Sequence, residues 1–288
     1  MTSNTAIFLI LIPLAFLAGM LFYTASPHYV QLETPVATEN KTPPPPQPTI
    51  TPTSTPKPLS FAQMNSLYGP CTVTPVLMYH HIQDLDQAKK EGHLGLAVSP
   101  AIFSQQMQYL ADRGFRPVTA DRLNNFFDSG AGLPAKSVLL TFDDGYADFF
   151  QNAYPILKLH HFPAILFLPT GLTDNPGYIT WNQAVDMSFS AINIANHTWS
   201  HRNMKSDAAS DLKEITTADT QLAEHNLNHP KAFAYPYGII GSFAKTDLAN
   251  LGYHLAFTTF PGRILCKKNN LTLPRVRIGN SPLSAYGI

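Results

Sequence analysis

Three features of the sequence predict an α/β domain built as a parallel barrel, complete or distorted. From about Leu59 to Ile288, short apolar runs alternate with amphipathic stretches, the order expected of strand–helix repeats. Most of the apolar runs are continuous instead of alternating with polar residues, as in strands buried on both faces. Four of the runs end on His, Asp or Tyr, and no internal repeat is visible.

The elements follow in chain order. The first strand is expected at 75–79 (Pro-Val-Leu-Met-Tyr) and leads straight into His80-His81. Ser99-Pro100 then offers an N-cap followed by proline at the first helical position. Phe103, Met107 and Leu110 share one face of that helix before Gly114 stops it. The run at 137–142 (Ser-Val-Leu-Leu-Thr-Phe) delivers Asp143-Asp144-Gly145, and further strands are expected at 163–168 and 192–195, the latter ending on Asn196-His197. Leu212, Ile215 and Leu222 mark the next helix. The run at 232–235 leads into Pro236-Tyr237-Gly238, Ser242 to Leu251 forms a helix ended by Gly252, and 253–257 supplies another strand. In such folds the strand ends that point toward the following helices carry the active site.

The chain has 288 residues and only 13% charged residues, against roughly 25% in an ordinary soluble domain. Its formal net charge is zero, so no basic stripe offers itself to nucleic acid, and that function class is excluded. Ala6 to Phe22 carries no charge and is about as long as the shortest bilayer-spanning segment. It reads as a membrane anchor within 1–25, or as a secretion signal cleaved after Ala25 or Ser26. Nine of the 25 prolines fall between Pro35 and Pro58, which makes 26–58 a Pro/Thr-rich linker, a semi-rigid spacer ahead of a domain at 59–288. This order implies a protein of the cell envelope, extracytoplasmic, either tethered to the membrane or secreted. Cys71 and Cys266 both lie in the exported part, where a disulfide is allowed; two buried free thiols are the alternative.

Asp143 and Asp144 are neighbouring carboxylates at a buried strand end. They repel unless a cation or a shared proton relieves them. A divalent metal bound by one leaves the other as a base, whereas an ordinary Asp-Gly turn is the bland reading. His197-Thr-Trp-Ser-His201 places two histidines four apart, and on one helical turn both face one metal. With Asp144 they make an Asp-His-His set that keeps positions open for water and substrate, as in catalytic zinc sites.

Together these residues resemble the polysaccharide deacetylases of the NodB-homology type, carbohydrate esterase family 4. Thr141-Phe-Asp-Asp-Gly-Tyr146 and His197-Thr-Trp-Ser-His201 match the first two motifs, and Phe233-Ala-Tyr-Pro-Tyr-Gly238 looks like the third. The opening Pro75-Val-Leu-Met-Tyr-His-His81 and the late Leu273-Pro-Arg-Val-Arg-Ile278 are similar to poly-β-1,6-N-acetylglucosamine deacetylases of biofilm matrix. The resemblance covers about residues 73–278. It implies a distorted (β/α) barrel, circularly rearranged, that removes N-acetyl groups from N-acetylglucosamine units of an extracellular polysaccharide.

By the same resemblance Asp143 is the general base, and Asp144, His197 and His201 hold a divalent ion, zinc first, with cobalt or nickel as alternatives. The backbone N–H of Tyr237 stabilises the oxyanion. The usual late Leu-x-His acid is missing here, and His80 takes the matching position of the biofilm-type enzymes. His81 leaves the strand on the opposite face. Ala234 replaces the third motif's usual Arg, so Arg275, after a further expected strand, is the candidate to orient Asp143. Among Trp181, Trp199, Tyr146 and Tyr235, Trp181 is the candidate to stack on a sugar face, while His160-His161 read as structural. The chain runs ten residues past Ile278, so deacetylation without a second glycan-cleaving domain is expected. Competing readings are a peptidoglycan or chitin-oligomer deacetylase with the same machinery, and a catalytically silent cell-surface glycan-binding module. The intact Asp143 argues against the silent module.

Overall fold

Seven parallel strands close into a barrel: β1 (Val76–Tyr79), β2 (Ser137–Phe142), β3 (Ala164–Leu168), β4 (Ile192–Asn196), β5 (Ala232–Ala234), β6 (Leu255–Pro261) and β7 (Leu273–Arg277). The structure is a computed structural model and describes residues 58–205 and 207–288. The expected anchor at 1–25 and all but the last residue of the linker at 26–58 lie outside the described residues. Among the described residues no helix is long and apolar enough to cross a membrane.

Each strand pairs with the next in the chain, and the ring is completed where β7 meets β1, with Val276 opposite Leu77 and Arg277 opposite Met78. On its other side β1 pairs with β2 from Val76↔Leu139 to Tyr79↔Phe142. The first and last strands are therefore neighbours, and residues 195 positions apart in sequence meet at this seam. Cys71 and Cys266 are disulfide-bonded there, joining the short antiparallel pair Cys71–Val73 and Ile264–Cys266. In the chain-entropy picture, closing a loop of this size stabilises the fold by about 5 kcal/mol.

Around the barrel lie α1 (Phe61–Tyr68), α2 (Leu85–Lys90), α3 (Pro100–Asp112), α4 (Ala120–Ser129), α5 (Tyr154–His160), α6 (Trp181–Ser188), α7 (Ala208–Glu224) and α8 (Ala244–Asn250). The strand residues divide between two apolar layers. Leu77, Tyr79, Leu140, Phe142, Leu166 and Ile194 pack outward with Phe103, Met107 and Leu110 of α3 and Leu157 of α5. Val76, Leu139, Ile165, Phe167, Ala234, Leu255 and Phe257 form a second cluster. Both faces of every central strand are covered, which is why the runs read as continuously apolar. Each large side chain buried this way contributes about 1.5–3 kcal/mol.

Ser99 caps α3 by accepting from the N–H of Ile102, with Pro100 at the first position, as the sequence predicts. Leu212, Ile215 and Leu222 all fall in α7, as expected, and Asp211 and Glu214 join Ile215, Ala218 and Leu222 among its buried residues; Glu214 accepts there from Ser200 N. One expectation needs correction. Arg275 lies inside β7 and not after a strand, so its side chain starts from within the sheet.

Candidate active site

The ends of β1, β2, β4, β5 and β7 bring seven of the expected residues to one end of the barrel. Asp143 follows β2 directly, and its N–H donates to Tyr79 O at 3.0 Å. The next residue, Asp144, has φ 76, a left-handed conformation that strains a residue with a side chain. Gly145 continues the turn at φ 68, where an added Cβ would run into Leu168 Cδ1. This turn sends two adjacent carboxylates into different surroundings.

Asp143 enters a buried fork. Arg275 Nη1 and Nη2 donate to its two oxygens at 2.7 Å each, while Nε donates to Thr258 O at 2.8 Å and Nη1 also reaches Thr141 Oγ1 at 3.3 Å. Burial alone would raise the Asp143 pKa, but the charge and hydrogen bonds of Arg275 outweigh it and hold the carboxyl below its ordinary range. Asp143 is thus an ionised carboxylate held in one orientation.

Asp144 meets the two histidines instead. His197 Nε2 lies 3.2 Å and His201 Nε2 2.9 Å from its Oδ1. His197 follows β4, and its Nδ1 sits 2.7 Å from Ala234 O; a carbonyl only accepts, so Nδ1 carries the proton and Nε2 presents its lone pair to Asp144. Two lone-pair atoms sit 3.2 Å apart stably only with a cation or a proton between them. The ligand atoms of Asp144, His197 and His201 all fall within 4.8 Å of one another, so imidazole, imidazole and carboxylate suit a divalent transition ion.

The histidine segment corrects the sequence reading in its geometry. Residues 197–201 form no helical turn: Thr198 has φ 67 and His201 φ 59, and the loop folds back on itself to aim both rings at Asp144. Glu214, buried on α7, holds this loop by accepting from Trp199 N at 3.1 Å, Ser200 N at 2.8 Å and Ser200 Oγ at 2.8 Å. Asn196 Oδ1 accepts from Thr198 N at 2.8 Å. Neither role was inferred from sequence. The available signal for Glu214 was a carboxylate beside Ile215 on the helix's apolar face.

His80 follows β1, largely buried, with Nε2 4.0 Å from Asp143 Oδ2. Burial lowers its pKa below the usual 6.5, and Asp143 and Asp144 only partly offset this, so the imidazole is neutral at neutral pH. His81 points away: its Nδ1 is 2.6 Å from Asp148 Oδ2, and its ring stacks on Tyr146. Tyr237, after β5, is exposed with φ 59 and lays its ring 4.9 Å from that of His201. Burial, followed by the neighbouring Asp144 carboxylate, raises the Tyr146 hydroxyl pKa.

Trp181 is not brought to this cluster. Its ring stacks on His225 at 4.2 Å and packs against the outer apolar layer, because it opens α6 and that helix leans on the barrel wall. Tyr235 is fully buried with its hydroxyl on Leu271 O.

A family model described as polysaccharide deacetylase matches residues 130–256. The solved structure of Streptococcus pyogenes deacetylase PplD in complex with acetate is 30% identical, with a TM-score of 0.66, over 71% of this chain and 92% of that one. The chain belongs to the polysaccharide deacetylase family. Among curated polysaccharide deacetylases, the poly-β-1,6-N-acetyl-D-glucosamine N-deacetylase of Escherichia coli K12 is 26% identical over 72% of this chain, but the match spans only 36% of that protein. The enzyme of the same name from Staphylococcus epidermidis is 27% identical over 64% of this chain and 68% of that protein. The seven-strand barrel is the polysaccharide deacetylase fold, with the Asp144–His197–His201 cluster at the ends of its strands.

Proposed function

We propose that this domain is a metal-dependent N-deacetylase that hydrolyses the acetamide of N-acetylglucosamine units in an extracellular, poly-β-1,6-N-acetylglucosamine-like polysaccharide. One observation carries the reading: adjacent carboxylates serve different partners, Asp143 in the Arg275 fork and Asp144 between His197 and His201. A structural Asp-Gly turn needs neither arrangement. The poly-β-1,6-linked substrate rests on the curated relatives, and the envelope location on the apolar 6–22 segment, the Pro-rich spacer and the disulfide.

Asp144, His197 and His201 would hold the ion, zinc by donor type, which supplies Lewis acidity toward the acetamide carbonyl and acidifies water. Asp143 takes a proton from the attacking water through a lone pair that Arg275 leaves free. The backbone N–H of Tyr237, at the rim, would donate to the developing oxyanion. His80, across from Asp143, delivers a proton to the departing nitrogen. The new C–O bond forms as water adds, and the C–N bond breaks as the oxyanion collapses back to a carbonyl, giving acetate and a free amine. Because burial keeps His80 neutral at rest, it must gain its proton during the cycle.

The test is acetate release from a β-1,6-linked N-acetylglucosamine oligomer, with peptidoglycan and chitin oligomers as comparators. Release that stops with chelator and returns with zinc supports the reading. Chelator-insensitive release, or none from any of the three glycans, overturns it.

A further inference from the structure

Beside the site opens a cavity of about 470 Å³, within the range of small-ligand pockets. Tyr146 separates the two, since its ring lines the cavity and it follows Asp144 by two residues in the same turn. Three near-parallel rings build one wall: Tyr146 stacks on His81 at 3.6 Å, and His81 on His93 at 3.9 Å. Asp148 fixes His81 through Nδ1 and accepts from Ile82 N at 3.1 Å. Tyr178 lies 5.5 Å from Tyr146. The catalytic scheme uses none of His81, His93, Asp148 and Tyr178.

The charge of the cavity is one-sided. No Lys or Arg lines it among the described residues, whereas Glu91 and Asp148 do. Glu91 sits half-exposed at the end of α2, and the hydrogen bond from Gln87 holds its carboxyl below the ordinary range. Burial lowers the His93 pKa, so that ring does not neutralise Glu91 at neutral pH. A flat-walled, polar-rimmed, anionic cavity suits a sugar ring bearing a cation.

The proposed reaction makes such a ring, because it turns a neutral acetamide into an ammonium. We propose that this cavity is a subsite for an already deacetylated glucosamine unit of the polymer, neighbouring the unit being hydrolysed, and that Glu91 recognises its ammonium. This rests on the deacetylase reading above. Each product unit then becomes a favoured neighbour, so deacetylated units accumulate in runs along the chain and not at random.

The experiment compares kcat/KM for two β-1,6-linked oligomers, one acetylated at every unit and one carrying a single internal glucosamine. Wild type should favour the second about fivefold, the size expected of a half-exposed ion pair. The ratio should collapse toward one in Glu91→Gln and in wild type at 0.5 M salt. A ratio of one in wild type, or a preference that survives both Glu91→Gln and salt, overturns the subsite. Calorimetric titration of a fully deacetylated glucosamine oligomer, in chelator, needs no turnover and separates the two readings. Weaker binding to Glu91→Gln than to wild type supports the cavity even where no acetate is released, and equal binding overturns it.

Discussion

Replacing Arg275 with Met removes the cation from a closed network. Its guanidinium makes four hydrogen bonds, two of them to Asp143, and its side chain is wholly buried. The variant leaves Asp143 buried with no countercharge, an event that costs about 3–5 kcal/mol. For a domain of this size that lowers the melting temperature by about 6–20 °C at pH 7. The sign of the pH dependence follows from Asp143. In wild type its folded pKa lies below the unfolded value, so its contribution is present above that value and lost as pH falls through the folded pKa. Without Arg275, burial dominates and raises the folded pKa. The variant is then penalised at neutral pH and relieved as acid protonates the carboxyl. The stability gap between the two proteins should therefore be widest near pH 7 and narrow toward pH 4. Urea melts of both proteins across that range, in chelator, measure the gap with the histidines common to both. Arg275→Lys keeps the charge but loses the fork, and should recover part of the loss. A loss under about 1 kcal/mol at pH 7, or a gap that does not shrink in acid, would refute the reasoning.

Four further outcomes are expected. Asp143→Asn should retain metal and lose about 10²–10⁴-fold in kcat, since an amide cannot take up the proton; a wild-type rate would remove Asp143 from the mechanism. His201→Ala should lose bound metal and activity together, and elemental analysis finding one ion per chain would count against the ligand set. His80→Ala should cut kcat on amide substrate far more than on an activated aryl acetate, whose leaving group needs no proton, while metal content stays constant; an equal loss on both esters and amides would make His80 structural. Glu214→Ala should weaken metal binding about 10–100-fold by freeing the 198–201 loop, and unchanged affinity in a competition titration would show that the loop holds itself.

Much of the barrel was legible because it is written in local chemistry. Continuous apolar runs such as 137–142 and 163–168 predict strands covered on both sides, and the observed strands fall within two residues of them apart from an extended end on β6. Ser99-Pro100 and Gly114 mark their helix because caps are set by the backbone needs of a few adjacent residues. Asp143, Asp144, His197 and His201 stood out because strand ends are where such a fold gathers polar groups. Asp211 and Glu214 were not legible as buried residues of α7, because helical periodicity alone does not say which polar side chains the apolar stripe will admit. Trp181 misled because an aromatic at a helix start serves packing as readily as recognition.

The amino-acid order alone thus specified the strand–helix alternation, the strand-end residues and the Asp-His-His donor types, all of which depend on neighbours a few positions away. The barrel's closure decided the rest. Only when β7 lies against β1 does Arg275 reach Asp143, 132 residues away, while His80 arrives from the other end of the chain. The left-handed turns at Asp144, Thr198 and His201 likewise have no local signature, since their side chains favour other backbone conformations. They persist because Arg275, Glu214 and the packed strand ends hold the surrounding groups in place, and those contacts exist only in the folded chain.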